Sequence, residues 1–193
     1  TTTNIAIFND GAVQHSAVIP IGSSSITNDI AVMLRVSIEK AEEIKIKYAS
    51  AMASLSSEKL DFEYDTEDNN QTLSENELSK YVEARMEEIF QLAKNEINRA
   101  GINNTLTYGV VLTGGGSQLR NIIPLAKELL DMPIRLGKPV INIQGNQDFA
   151  DSPIHSTLLG LLLWPLHSKE QKTSQLINMP WIENIKKNIK NFF

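Results

Sequence analysis

Two short apolar runs, residues 5–8 and 12–21, flank Asn9-Asp10-Gly11 near the start of the chain. Asp-Gly between such runs predicts a β-hairpin, because both turn positions favour residues that tolerate positive φ. Gly22-Ser23-Ser24-Ser25 reads as a loop, and Thr27 or Asn28 as the cap of a helix from Asp29 to Leu34. Ser37 then caps a second helix, with Glu39, Glu42 and Glu43 in its early turns. Its apolar stripe is Ile38, Ala41, Ile44 and Tyr48.

Residues 56–80 are polar and acidic, and within them Leu60, Phe62 and Tyr64 alternate with charged residues. That alternation predicts one short half-buried strand. Ser74-Glu75-Asn76-Glu77 matches a capping box and opens a helix over about residues 75–100. Leu78, Tyr81, Val82, Met86, Ile89, Phe90, Ala93 and Ile97 form its apolar face, and Gly101 stops it. An apolar run from Tyr108 to Leu112 leads into Thr113-Gly114-Gly115-Gly116-Ser117, then a helix from about Gln118 to Leu130. Ile134-Arg135-Leu136 and Val140 to Ile143 read as short strands. Ser156 to Trp164 reads as a compact buried helix, with Gly160 for close packing. Strands alternating with helices make the class α/β.

Composition narrows the function. The net charge of -5 argues against broad nucleic-acid binding. The chain has no Cys, so disulfides, thiolate metal sites and cysteine nucleophiles are excluded. Its three His are far apart and lack metal-ligand spacing. The longest apolar run, Leu158 to Leu166, is too short to span a bilayer. The chain opens on Thr1-Thr2-Thr3-Asn4 without an initiator Met or signal peptide pattern, and reads as a fragment entered within a strand–turn unit.

The C-terminal end is a separate module. Residues 167–179 read as a flexible polar linker. Residues 180–193 read as an amphipathic helix, with Trp181, Ile182, Ile185, Ile189, Phe192 and Phe193 on one face and Lys186 among the polar residues of the other. Thirteen residues, 181–193, at about 1.5 Å each cannot cross a bilayer, so the helix is expected to lie on an anionic membrane surface. The competing reading is a terminal helix docked on the globular body.

Three places offer chemistry. The strand–glycine–helix unit Val110 to Ser117 suits phosphate or ribose oxygens, because its glycines admit close approach and a helix N-terminus presents free N–H groups. It matches neither a dinucleotide-binding nor a Walker A pattern, and a plain tight turn reads equally well. Glu42 and Lys45 share a helix face and suit either a nucleoside or solvent. Asp29 suits either a hydrated Mg²⁺ or the positive end of its helix. No catalytic triad or carboxylate pair stands out.

Together these segments resemble the actin/Hsp70/sugar-kinase superfamily. Thr2 to Phe8 resembles the end of a phosphate-binding hairpin, and Ile19-Pro20-Ile21-Gly22 with Ile26 to Ala31 the segment that follows. Ala41-Glu42-Glu43-Ile44-Lys45 resembles the superfamily's nucleoside contact, and Val111 to Ser117 its adenosine motif. The order, spacing and tryptophan-bearing tail resemble the C-terminal half of the FtsA family of bacterial cell-division proteins. Asn4 and Ser23 depart from that pattern, where Asp and Gly are usual.

The resemblance implies an actin-like subdomain 2A at residues 1–35 and 107–166, with an inserted subdomain 2B at 36–106. It implies ATP with Mg²⁺ in the full-length family, weakly bound or unbound here without the N-terminal half. Thr2, Thr3, Glu42, Lys45, Gly114, Gly115, Gly116 and Ser117 would contact the nucleotide, with Asp29 acting on the metal indirectly. It further implies a non-enzymatic adaptor at the inner face of the cytoplasmic membrane, at the division septum, that self-associates into actin-like polymers. The C-terminal tail of the tubulin-like FtsZ would dock near Asn98 and Arg99. The alternatives are an ATP-hydrolysing enzyme or chaperone of the superfamily, or a remnant that does not assemble.

Overall fold

The computed structural model describes residues 1–58, 61–65, 70–101, 106, 108–140 and 151–170. The chain divides into two compact units, residues 1–136 and 137–193. The first opens with the expected hairpin. Strand β1 (Thr3–Asn9) pairs antiparallel with β2 (Ala12–Ile19), and Asp10 and Gly11 turn the chain with φ of 48° and 77°. Ile7 and Ile19 are buried, whereas Phe8, Val13 and Val18 are exposed.

Helix α1 (Ser23–Leu34) starts at the serine run, ahead of the Asp29 start that the pattern suggests. Ile26, Thr27, Ile30, Ala31 and Leu34 form one buried stripe, and burial of that stripe overrides the weak helix preference of three serines. Thr27 and Asn28 are therefore interior helix residues, not caps. Helix α2 (Ile38–Tyr48) is capped as expected, with Ser37 accepting from the Lys40 N–H at 3.2 Å. Ala41 and Ile44 are buried, but Ile38 is half exposed and falls outside the stripe.

Strand β3 (Asp61–Asp65) has an unforeseen antiparallel partner, β4 (Asn70–Ser74). Phe62 and Tyr64 are buried, and Phe62 stacks on Tyr48 with ring centroids 4.2 Å apart. Ser74 caps helix α3 (Glu75–Arg99) by accepting from the Glu77 N–H at 3.1 Å. Leu78, Val82, Met86, Ile89, Phe90 and Ile97 are buried along it, whereas Tyr81 stands on the exposed side. The helix stops at Gly101, whose φ is 69°.

Strand β5 (Val110–Leu112) pairs in parallel with β6 (Ile134–Leu136). The crossover is not one helix from Gln118. A 3-10 turn at Gly115–Gln118 comes first, Asn121 takes φ of 59°, and only then does α4 (Ile122–Leu130) begin. Ile30, Leu78 and Leu125 are almost wholly buried and tie α1, α3 and α4 into one core. Burying each such side chain is worth about 1.5–3 kcal/mol.

In the second unit a 3-10 turn at Pro153–His155 leads into α5 (Ser156–Glu170). This helix is not the buried one expected. Leu159 is buried, but Leu158, Leu161, Leu162 and Trp164 are exposed. Gly160 serves no close packing, since a Cβ there would meet nothing within 4 Å. The helix passes through Pro165 to Glu170, into the stretch expected as linker. Val140 has no regular structure, and residues 141–143, 171–179 and the amphipathic segment 180–193 lie outside the described residues.

Candidate functional site

Three segments that are distant in sequence meet at Ser23, the first residue of α1. Lys45 sits in the last turn of α2 and is 8% exposed. Its ammonium donates to Glu42 Oε2 at 2.6 Å, to Thr27 Oγ1 at 2.9 Å and to the Ser23 carbonyl at 3.3 Å. An ammonium has three donors, and all three are used. The Thr27 hydroxyl also donates to Glu42 Oε2. Burial pushes the Glu42 carboxyl up, but the hydrogen bonds from Lys45 and Thr27 and the lysine charge outweigh it and hold the group below the usual glutamate range. The Glu42 side chain is still 44% exposed, so the pair is anchored on its lysine side and open on its carboxylate side.

The glycine run closes on the same point. Gly114 takes φ of 87° and ψ of 175°, a conformation essentially confined to glycine. A Cβ at Gly114 or Gly115 would meet nothing within 4 Å, and one at Gly116 would lie 3.7 Å from Ser23 Cβ. The space above this backbone is the kind of cradle that a ligand's oxygens or ring can enter. Ser117 is buried, and its hydroxyl donates to the Gly114 carbonyl at 2.7 Å, so it braces the loop.

The N-terminal strand reaches the same corner. Thr3 Oγ1 donates to the Ile21 carbonyl at 2.8 Å, and Thr2 is exposed. Gly22 permits the approach, because a Cβ there would stand 2.7 Å from Thr1 Oγ1 and 3.1 Å from the Thr2 nitrogen. Ser23 is helical, so its Cβ demands no positive φ. The structure thus gathers Thr3, Glu42, Lys45 and Gly114–Gly116 around the N-terminus of α1.

Asp29 lies further along α1, where Arg85 of α3 clasps it through Nε to Oδ2 at 2.6 Å and NH2 to Oδ1 at 2.9 Å. The pair borders an open groove lined by Val32, Met33, Tyr81 and Ala84. Among the described residues no cluster of three or more His, Asp or Glu is arranged to hold a metal ion. At the far end of α3, Arg99 is largely exposed and pairs with Glu96 at 2.5 Å, and Asn98 is exposed beside it. His15 Nε2 lies 3.0 Å from the other Glu96 oxygen, and its hydrogen bond, followed by the Arg99 charge, holds the Glu96 carboxyl low.

Sequence reasoning missed Thr27, Arg85 and His15. Thr27 looks like a cap because it follows a serine run, and only the fold shows that it faces Lys45. Among the described residues no helix is long and apolar enough to cross a membrane.

The family model described as Cell division protein FtsA matches residues 1–160. The chain is 40% identical over 179 residues to Cell division protein FtsA of Pseudomonas aeruginosa, covering 92% of this chain and 43% of that protein. It is 34% identical to the Neisseria meningitidis protein of the same description, covering 83% of this chain and 39% of that one. The chain therefore spans less than half the length of these relatives. Among solved structures, it resembles MreB5 of Spiroplasma citri bound to ADP, with a TM-score of 0.67 at 16% identity, covering 88% of this chain and 52% of that one. A non-polymerising MamK mutant bound to AMPPNP superposes with a TM-score of 0.55 at 14% identity, covering 81% and 50%. At such identities the likeness establishes the actin-like fold alone, whereas the sequence match fixes the kinship: the chain belongs to the FtsA family of cell division proteins.

Proposed function

We propose that this chain is the nucleotide-binding and partner-binding part of a cell-division adaptor that holds FtsZ at the inner face of the cytoplasmic membrane. The observation that carries the nucleotide part is the meeting of Lys45, Glu42 and Gly116 at Ser23. The adenosine end of ATP would lie over Gly114–Gly116, with Glu42 and Lys45 beside it and Thr2 and Thr3 on the phosphate side. Nucleotide-bound neighbours of the same fold support this reading. Mg²⁺ would arrive with the phosphates and meet Asp29 through water, in competition with Arg85.

ATP acts here as an assembly ligand for actin-like self-association, a reading that the shared fold supports. Residues 1–35 and 107–166 serve as subdomain 2A and residues 36–106 as 2B. The FtsZ tail docks on 2B at Asn98 and Arg99, where an exposed guanidinium suits an acidic peptide. Residues 180–193 attach the assembly to anionic lipid at the septum. One such short segment binds weakly, so several copies on a polymer supply the attachment. Steady-state phosphate release at about one per second or faster would instead favour an ATP-hydrolysing enzyme.

Co-sedimentation tests the adaptor. With the chain present, a labelled FtsZ tail peptide is expected to pellet with anionic vesicles, and Trp181→Glu is expected to release it. Pelleting that is independent of the chain, or unaffected by Trp181→Glu, would remove the tethering role.

A further inference from the structure

Resting on the nucleotide site proposed above, we infer that Thr27 is its positioning residue: it pins one oxygen of Glu42 so that the other meets a hydrogen-bond donor of the nucleoside. Thr27 is 3% exposed in the middle of α1 and itself touches no solvent-facing ligand space. Its hydroxyl accepts from Lys45 and has a single proton to donate. Two acceptors are within reach: the Ser23 carbonyl at 3.2 Å, the usual partner of a threonine inside a helix, and Glu42 Oε2, which is closer. Lys45 also bonds Oε2, so both hydrogen bonds to this carboxylate converge on one oxygen.

The consequence is geometric. A carboxylate held at one oxygen from two directions, by a buried lysine on its own helix and by a threonine on α1, cannot rotate freely. Among the described residues no hydrogen bond reaches Oε1, and the side chain is 44% exposed. A carboxylate only accepts hydrogen bonds, so its nucleoside partner must be a donor: a ribose hydroxyl or the adenine amino group. Thr27 thereby decides how sharply the site tells such donors from analogues that lack them.

The test compares the wild-type chain with Thr27→Val, which keeps the shape and removes the hydroxyl, and with Thr27→Ser, which restores it. Affinities for ATP, 2′,3′-dideoxy-ATP and inosine triphosphate are measured by NMR titration, with amide dispersion confirming the fold. Wild type is expected to prefer ATP over one analogue, and Thr27→Val to lower that preference about tenfold, the worth of one hydrogen bond to a charged group. Thr27→Ser is expected to retain it. Loss against the dideoxy compound assigns the ribose as the donor, and loss against inosine triphosphate assigns the amino group. Unchanged ratios in Thr27→Val, even with weaker binding overall, would overturn the positioning role. Wild type that binds ATP without preference would overturn it as well, and wild type that does not bind ATP would overturn the nucleotide site itself.

Discussion

Arg85 grips Asp29 with two parallel hydrogen bonds, of 2.6 and 2.9 Å, across 56 residues of sequence. The pair staples α1, whose N-terminus carries the candidate nucleotide site, to the long helix α3, whose C-terminus carries the candidate partner site. The hydrogen bond from Arg85 to Asp29 leads the factors that raise the arginine's affinity for its proton. Both side chains are about one-third exposed, which trims the energy that a bidentate pair yields. A double-mutant cycle with Asp29→Asn and Arg85→Gln is expected to give a coupling of about 1 kcal/mol in urea unfolding. Strict additivity would mean that the two helices are held by the apolar core alone.

The face of α3 offers a sharper contrast. Leu78 is fully buried and Tyr81, one turn on, is half exposed. Leu78→Ala is expected to destabilise the chain by about 2–5 kcal/mol and Tyr81→Ala by less than about 1 kcal/mol. Similar losses from both would restore Tyr81 to the core face that its spacing suggests.

These cases show what the sequence carries. The hairpin turn at Asp10-Gly11 and the caps at Ser37 and Ser74 were legible, because each depends on residues within a few positions of itself. The strand Asn70–Ser74 was not, because four of its five residues are polar and its extended form comes from pairing with β3. The start of α1 was misread because three serines suit a loop locally, and only burial of Ile26 and Ile30 against other elements makes them helical. Glu42, Lys45 and the glycines were legible as candidates through their motifs. Thr27 was not, because its partners lie 15 and 18 positions away.

Acid should weaken the Glu42 cluster in a defined direction. Its carboxyl lies below the ordinary glutamate value, so the unfolded chain takes up a proton first as pH falls. The stabilisation is complete above about pH 4.3 and is lost as pH drops through the lower folded value. Glu42→Gln is expected to remove that part of the acid-unfolding profile. An identical profile in the variant would mean that the pair contributes nothing in solution.

Arg99 tests the proposed partner face of α3. It is largely exposed, and among the described residues its ion pair is the one to Glu96, a carboxylate shared with His15. Arg99→Glu is expected to weaken binding of an FtsZ tail peptide at least about tenfold, with the fold unchanged by circular dichroism. Equal affinity in a fluorescence titration would take Arg99 out of the docking site while leaving the rest of 2B in play.

An NMR titration of the 193-residue chain with ATP reads the proposed nucleotide site directly. Millimolar ATP is expected to shift the amides of Ser23 and Gly114–Gly116 together with the side-chain signals of Lys45 and Glu42, and Lys45→Met is expected to abolish those shifts. Shifts confined to other parts of the chain, or shifts at the glycines that survive Lys45→Met, would contradict a site built where α1, α2 and the glycine loop meet.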